Sequence, residues 1–314
     1  MKDLFNKIPN KPKFWDSPKI SFWSILLLPL SLIFFLISLI TKNFQSQKKL
    51  SIPIICVGNI YVGGTGKTPL VKEIFKITKA LGKKPAFIKK SYNYLSDEIK
   101  MLQKTGETFT SKDRLKAINS CIFNNHDLAI LDDGYQDFNL KKTFSILCFN
   151  SKQLIGNGLV IPSGPLREPL SAIQRSNCIM INGDKNLEFE NKIIKNMGNK
   201  KIPIFYSKYK IKNIEKLQDI EIIAFAGIGN PANFFDLLIK NNLNVKKTYS
   251  FPDHHSYSQV DFDKIIGDGS TKIVTTEKDY NRMDDYQKQR CEYIKVHLEI
   301  ENKDVLGKLI KNYI

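Results

Sequence analysis

Residues Asn59–Leu70 read NIYVGGTGKTPL. An apolar run, SIPIICVG (51–58), precedes this stretch, and VKEIFKITKALG (71–82) follows it with apolar positions at helical spacing. Strand, glycine-rich turn and helix in that order make a phosphate-binding loop. Gly63, Gly64 and Gly66, with Thr65 between them, let backbone N–H groups turn toward phosphate oxygens at the positive end of the helix. Lys67 is then placed to reach the β- and γ-phosphates of ATP, and the Thr68 hydroxyl to coordinate Mg²⁺. The strict pattern G-x-x-x-x-G-K-[ST] requires a glycine at position 61, where this chain has Tyr61. Its absence changes the entry to the loop and leaves the Gly-Lys-Thr chemistry in place.

Outward from the loop, KPAFIKK (84–90), DLAILDDG (127–134), FSILCFN (144–150) and CIMIN (178–182) read as strands. Asp97–Thr105 and Arg114–Asn124 read as helices. This alternation predicts an α/β fold with a mostly parallel, P-loop NTPase-like sheet and helices on both faces. Around 200–217 the chain turns Lys-rich and loses periodicity, which places a boundary there. The expected organisation is an N-terminal membrane-anchoring segment over 1–49, a P-loop kinase core over 50–210 and a smaller α/β domain over 211–314.

The N-terminal expectation rests on residues 20–41, ISFWSILLLPLSLIFFLISLIT, which carry no charge and are long enough as one helix to cross ~30 Å of hydrocarbon. Lysines flank the run on both sides, so the charge rule gives no orientation. Pro29 lies near its middle. A helix inserted in one leaflet and bent at Pro29 is the favoured arrangement, with a full span second. The formal charge of +17 suits an anionic partner, but Lys and Asn richness runs through the whole sequence and selects none by itself. The five cysteines are scattered without a C-x-x-C pair, which indicates neither a zinc site nor a disulfide framework.

A second element must hold the metal, and LAILDDGYQD (128–137) delivers Asp132 and Asp133 at the end of an apolar strand. Four further clusters carry candidate chemistry. Asp97 and Glu98 open a helix, and FPDHHSYS (251–258) gathers Asp253, His254 and His255. SGPLREPLS (163–171) sets Arg167 and Glu168 between prolines, and VTTEKD (274–279) sets Lys278 between two acids. An adjacent carboxylate and imidazole can serve as a base and its orienting group. A guanidinium on a stiff loop can grip phosphate.

Taken in order, VGNIYVGGTGKTP, SDE, LDDGYQ, PSGPLREP, FAGIGNP, FPDHHSY and VTTEKD resemble the tetraacyldisaccharide 4'-kinase family over Val57–Asp279. That family also lacks the first glycine of the loop. The resemblance implies ATP- and Mg²⁺-dependent phosphorylation of the 4'-hydroxyl of an acylated glucosamine disaccharide 1-phosphate in lipid A biosynthesis. It implies work at the cytoplasmic face of the inner membrane, with inner-membrane lipid as a partner and no nucleic acid. By motif position it makes Asp97 the catalytic aspartate with His254 beside it, and gives Lys67 and Arg167 catalytic roles on phosphate. It assigns Thr68, Glu98, Asp132, Asp133 and Glu168 to the neighbourhood of the metal. One departure is KKSYNYLSDE (89–98), which is short and has Lys90 and Ser91 where the family has Arg and Gly. A lysine does not reproduce a guanidinium's bidentate grip. The competing reading is a membrane-associated ATPase of the ParA/MinD type. Its signature lysine before the paired glycines is Val62 here.

Overall fold

The computed structural model describes residues 11–91, 96–212, 214–265 and 271–314. They form two compact units. The first comprises Lys11–Ser91, Thr105–Lys208 and Glu299–Ile314; the second comprises Tyr209–Leu298 and the helix Ser96–Gln103.

In the first unit, β1 (Ile54–Gly58), β4 (Leu128–Asp132), β5 (Phe144–Asn150) and β6 (Cys178–Asn182) are buried along their whole length. Continuous apolar runs of this kind are what a parallel sheet covered on both faces requires. With β2 (Pro85–Lys90), β3 (Thr108–Ser111), β7 (Ile204–Ile211) and β12 (Val296–Ile300) they make a sheet of order β12-β7-β6-β5-β1-β4-β2-β3. The pairings from β3 through β7 are parallel. Val57 lies opposite Asp132, so the carboxyl ends of β1 and β4 open on the same edge of the sheet, where ligands bind in open α/β folds. From Gly66, at φ 83°, the helix Lys67–Ala80 leaves β1 and buries Leu70, Val71, Ile74 and Phe75.

The second unit has its own parallel sheet, β8 (Ile222–Ala226), β9 (Val245–Ser250), β10 (Lys272–Thr276) and β11 (Glu292–Ile294), in the order β11-β10-β8-β9. Division by sequence alone differs from this arrangement in three ways. The Lys-rich stretch read as irregular contains β7, whose first half is buried. The chain leaves the first unit between Lys208 and Tyr209, but Glu299–Ile314 returns to it. That return is held by Glu301 N–H on the Tyr206 carbonyl (2.9 Å), by Lys303 on Glu73 (2.9 Å) and by buried Leu306 and Ile310. The helix bearing Asp97 belongs to the second unit and not to the kinase core.

The N-terminal apolar run is not one long helix. It breaks at Leu27 into Phe22–Leu26 and Leu28–Phe44, and among the described residues no helix is long and apolar enough to cross a membrane. Pro29, which has no N–H to donate, sits in the first turn of the second helix, where none is needed. Ser31 ties that helix to the first unit: its hydroxyl donates to the Val160 carbonyl (2.9 Å) and lies 2.8 Å from the Ser163 hydroxyl. On its other sides Leu32, Ile33, Leu36, Ile37 and Ile40 are exposed.

Tyr61 explains the missing glycine. Its side chain is fully buried, its hydroxyl donates to Asp16, and Lys11 donates to that hydroxyl. Beside it, Val62 N–H donates to the Pro165 carbonyl (2.9 Å) and Arg167 N–H to the Ile60 carbonyl (2.6 Å). The loop entry is therefore a packed bridge between the N-terminal segment and the Pro-rich loop. Restoring the strict motif with Tyr61→Gly is expected to cost roughly 3–5 kcal/mol, the usual range for emptying an aromatic core position. Denaturant unfolding reads this directly, and unchanged stability would contradict it.

Candidate active site

The loop is shaped from beneath by Asn59, a buried residue that pattern reading passed over. Its Nδ2 donates to the Tyr61 carbonyl (2.6 Å) and the Thr65 hydroxyl (3.0 Å), stapling the turn on both sides. Gly63 has φ 131°, and a side chain at Gly64 would point into open space. The positive φ of Gly63 and Gly66 and the open space at Gly64 leave the loop backbone accessible, as a phosphate site requires. Lys67 Nζ stands 3.8 Å from Asp133 Oδ1, so this lysine faces the acidic pair from the first turn of its helix.

Asp132 is the last residue of β4 and is wholly buried. Its Oδ2 accepts from the Thr68 hydroxyl (3.1 Å) and the Lys89 ammonium (2.5 Å). Its Oδ1 has no hydrogen-bond partner. A buried acceptor without a donor is costly, and a cation beside it removes that cost. Asp133 follows with φ 62° and receives Arg167 NH1 at 3.1 and 3.2 Å on its two oxygens. Desolvation pushes its carboxyl pKa up, but Arg167, Lys67, Lys89 and Arg114 together outweigh that and hold it well below the usual carboxylate range. Among the described residues no group of three or more His, Cys, Asp or Glu forms a ready metal cage. Mg²⁺ in phosphoryl-transfer sites takes only one or two protein ligands besides phosphate and water, so Thr68 and Asp132 suit it.

The loop after residue 160 brings Arg167 to this edge and keeps Glu168 from it. Glu168 is buried and accepts from Arg175 (2.7 and 2.9 Å) and from Gln136 Nε2 (3.0 Å). Both carboxylate oxygens of Glu168 are engaged by Arg175 and Gln136, which braces this loop. Gln136 Nε2 also donates to the Asn59 carbonyl (2.9 Å), linking this brace to the phosphate loop.

The second unit assembles a separate cluster around Asp97, which is 2 % exposed. Arg282 Nε lies 3.3 Å from Asp97 Oδ2, His254 Nδ1 3.7 Å and Lys278 Nζ 4.0 Å. Glu98 faces Lys278 at 3.4 Å in the same unit. His254 has φ 58°, a strained value for this residue, and its N–H contacts the Gly227 carbonyl at 3.2 Å. A Cβ on Gly227 would meet the Tyr257 hydroxyl at 2.8 Å, so the turn that carries the histidine needs glycine there. Buried Asp279 locks the same turn, accepting from Gly227 N–H (3.0 Å) and the Tyr257 hydroxyl (2.7 Å). His255 points elsewhere: its Nε2 is 3.1 Å from Asp261, and its ring stacks on Phe251. Lys278 Nζ is 3.2 Å from His254 Nε2, and an ammonium can only donate. The imidazole proton therefore sits on Nδ1, on the side of Asp97.

The model of the family described as tetraacyldisaccharide-1-P 4'-kinase matches residues 23–99 and 93–314. The chain belongs to the tetraacyldisaccharide 4'-kinase family. It is 42 % identical over 309 residues to the tetraacyldisaccharide 4'-kinase of Pelagibacter ubique, covering 96 % of this chain and 97 % of that one. The enzyme of that name from Francisella tularensis subsp. novicida is 32 % identical, with 92 % and 98 % covered. Among solved structures, LpxK from Aquifex aeolicus in complex with ATP aligns with a TM-score of 0.72 at 26 % identity, covering 92 % of this chain and 99 % of that one. The ParA/MinD reading loses its footing, since the match to this family runs through both units.

Of the residues singled out by sequence in this kinase family member, Lys67, Thr68, Asp132, Asp133 and Arg167 meet on one sheet edge, while Asp97, Glu98, His254 and Lys278 meet in the second unit. Lys89 and Arg282 were not legible as site residues, because a lone basic residue carries no signal of its partner. Lys90, at the end of β2, is half-buried, and Tyr92–Leu95 of the shortened loop lie outside the described residues. Burial, then Lys278, lowers the His254 pKa below its ordinary 6.5, with Asp253 and Asp97 opposing. A histidine depressed in the folded state costs nothing above the unfolded pKa, and stability is lost as pH falls through 6.5. The His254 imidazole is expected to titrate below 6.5 by NMR, and Lys278→Met to raise its midpoint. A midpoint unmoved by that substitution would contradict the pairing.

Proposed function

We propose that the protein is an ATP-dependent kinase that phosphorylates the 4'-hydroxyl of a tetraacylated glucosamine disaccharide 1-phosphate, giving a bisphosphorylated lipid A precursor. The observation that carries this reading is the family match, which runs through both units; buried Asp97 with His254 Nδ1 at 3.7 Å supplies the base that an acceptor hydroxyl needs. Family membership supplies the acceptor class, since the related enzymes are named for it. In this reading the loop amides and Lys67 bind the ATP phosphates. Arg167 and Lys67 offset negative charge that gathers on the transferred phosphoryl group. Mg²⁺, held by Thr68 and Asp132 with Asp133 adjacent, would neutralise phosphate charge when bound. Asp97 accepts the proton of the acceptor hydroxyl, and His254, with its proton on Nδ1, steadies the carboxylate. Lys278 keeps the imidazole neutral and turned toward Asp97.

The apolar side of Leu28–Phe44 supports a seat on the cytoplasmic face of the inner membrane. Exposed leucines and isoleucines on a helix fixed to the body through Ser31 suit partial insertion in the interfacial plane. One experiment addresses both proposals: the full chain is mixed with phospholipid vesicles carrying the acceptor, supplied with γ-labelled ATP, and floated. Labelled lipid and co-floating protein are expected, with Lys67→Ala still floating but transferring no label. ATP hydrolysis without labelled lipid would refute the kinase reading, and protein left at the bottom of the gradient would refute the membrane seat.

A further inference from the structure

We infer that Lys89 is a positioning residue of the donor site that makes divalent-cation binding conditional on nucleotide: it holds Asp132 until phosphate arrives and repels a metal that comes alone. The inference concerns the donor side and holds whichever hydroxyl accepts the phosphoryl group.

β2 runs beside β4 with Ile88 opposite Leu131, so the next residue on each strand is Lys89 and Asp132. Both are buried, Lys89 at 4 % and Asp132 at 0 % exposure. A lysine sits this deep only where a partner offsets its loss of water. The ammonium lies 2.5 Å from Asp132 Oδ2, the oxygen that also accepts from the Thr68 hydroxyl at 3.1 Å. Oδ1 of the same carboxylate has no donor, and it is the atom a metal would meet. An ion there would share one carboxylate with a fixed ammonium, so the two cations repel across a single group.

The rest of the site adds to this repulsion. Lys67 and Arg167 face Asp133 at 3.8 and 3.1 Å, and Arg114 pairs with Asp137 at 3.1 Å. With Lys89 on Asp132, four bases meet three carboxylates, so the donor edge is already positive. A bare divalent ion gains little from such a site. The triphosphate of ATP reverses the balance, because it brings several negative charges and supplies ligands that Mg²⁺ needs. Lys67 and Arg167 then have phosphate oxygens as alternative partners, whereas Lys89 reaches Asp132 from within the sheet and keeps its place. By engaging Oδ2, Lys89 also leaves Oδ1 as the coordinating atom and stops the carboxylate from taking a metal through both oxygens. Metal and nucleotide therefore bind together, each raising the affinity of the other.

Mn²⁺ serves as the probe. The full chain is equilibrated with Mn²⁺ alone or together with a non-hydrolysable ATP analogue, and the ion retained with the protein after ultrafiltration is measured. Wild type and Lys89→Arg are expected to retain Mn²⁺ only with the analogue. Lys89→Met should retain it without nucleotide, binding the bare ion about tenfold or more tightly than wild type, since even water-like screening leaves a repulsion of that size between close charges. Mn²⁺ alone should also raise the melting temperature of Lys89→Met and leave that of the wild type unmoved, because a ligand stabilises only a form that binds it. If Lys89→Met does not fold, Lys89→Gln, neutral and still able to donate to Asp132, carries the same expectation. Wild type that retains Mn²⁺ equally with and without the analogue overturns the inference, as does a folded neutral variant that takes up no bare ion. No Mn²⁺ retained by the wild type in either condition overturns the metal site on Asp132 and the role of Lys89 with it. The acceptor reading is untouched by any of these outcomes, because no acceptor is present.

Discussion

The carboxylate of Asp132 is the constraint on which the donor side of this protein depends. It is buried at the end of β4, beside the strand that launches the phosphate loop, and one oxygen is shared by the Thr68 hydroxyl and the Lys89 ammonium. Removing one partner of such a pair leaves a buried charge uncompensated, which is far more damaging than removing both. The second oxygen stays without a protein donor, so the arrangement is complete only when a cation or water meets it. Around this one group the sheet order, the register of β1 against β4 and the helix carrying Thr68 all have to agree.

The donor side was legible because its chemistry is local in sequence. Six consecutive residues, Gly63–Thr68, carry the loop, and an apolar strand ending in two aspartates announces itself through burial and charge. What could not be read was the support from distant residues: Asn59 under the loop, Lys89 against Asp132, and Tyr61 bonded to Asp16. Each is a long-range or side-chain-specific contact that no periodicity reports. The N-terminal run was legible in part. The bend expected at Pro29 falls two residues earlier, at Leu27, and the tether at Ser31 depends on Ser163 and Val160, more than a hundred residues away.

The second unit answers a different chemical need. Arg282, Lys278 and His254 surround Asp97 with three basic groups, and Asp279, Tyr257 and Gly227 exist largely to fix the turn that carries the imidazole. Sequence gave the Asp97 and His254 positions only through motif resemblance, since a helix-opening acid and a loop histidine are each common without a role. The tight turn at His254 is more informative: a positive φ on a histidine is maintained only where surrounding contacts over-determine it. Here those contacts are the buried Asp279 network. In the proposed reading, donor binding and acceptor activation would rest on separate units, each with its own buried aspartate.

The most direct test of that division is to measure ATP affinity and phosphoryl transfer side by side in Asp97→Ala. The account expects nucleotide affinity to be unchanged while transfer falls by roughly two to four orders of magnitude, the usual contribution of a general base. Loss of ATP binding together with transfer would contradict it, because Asp97 would then belong to the donor site.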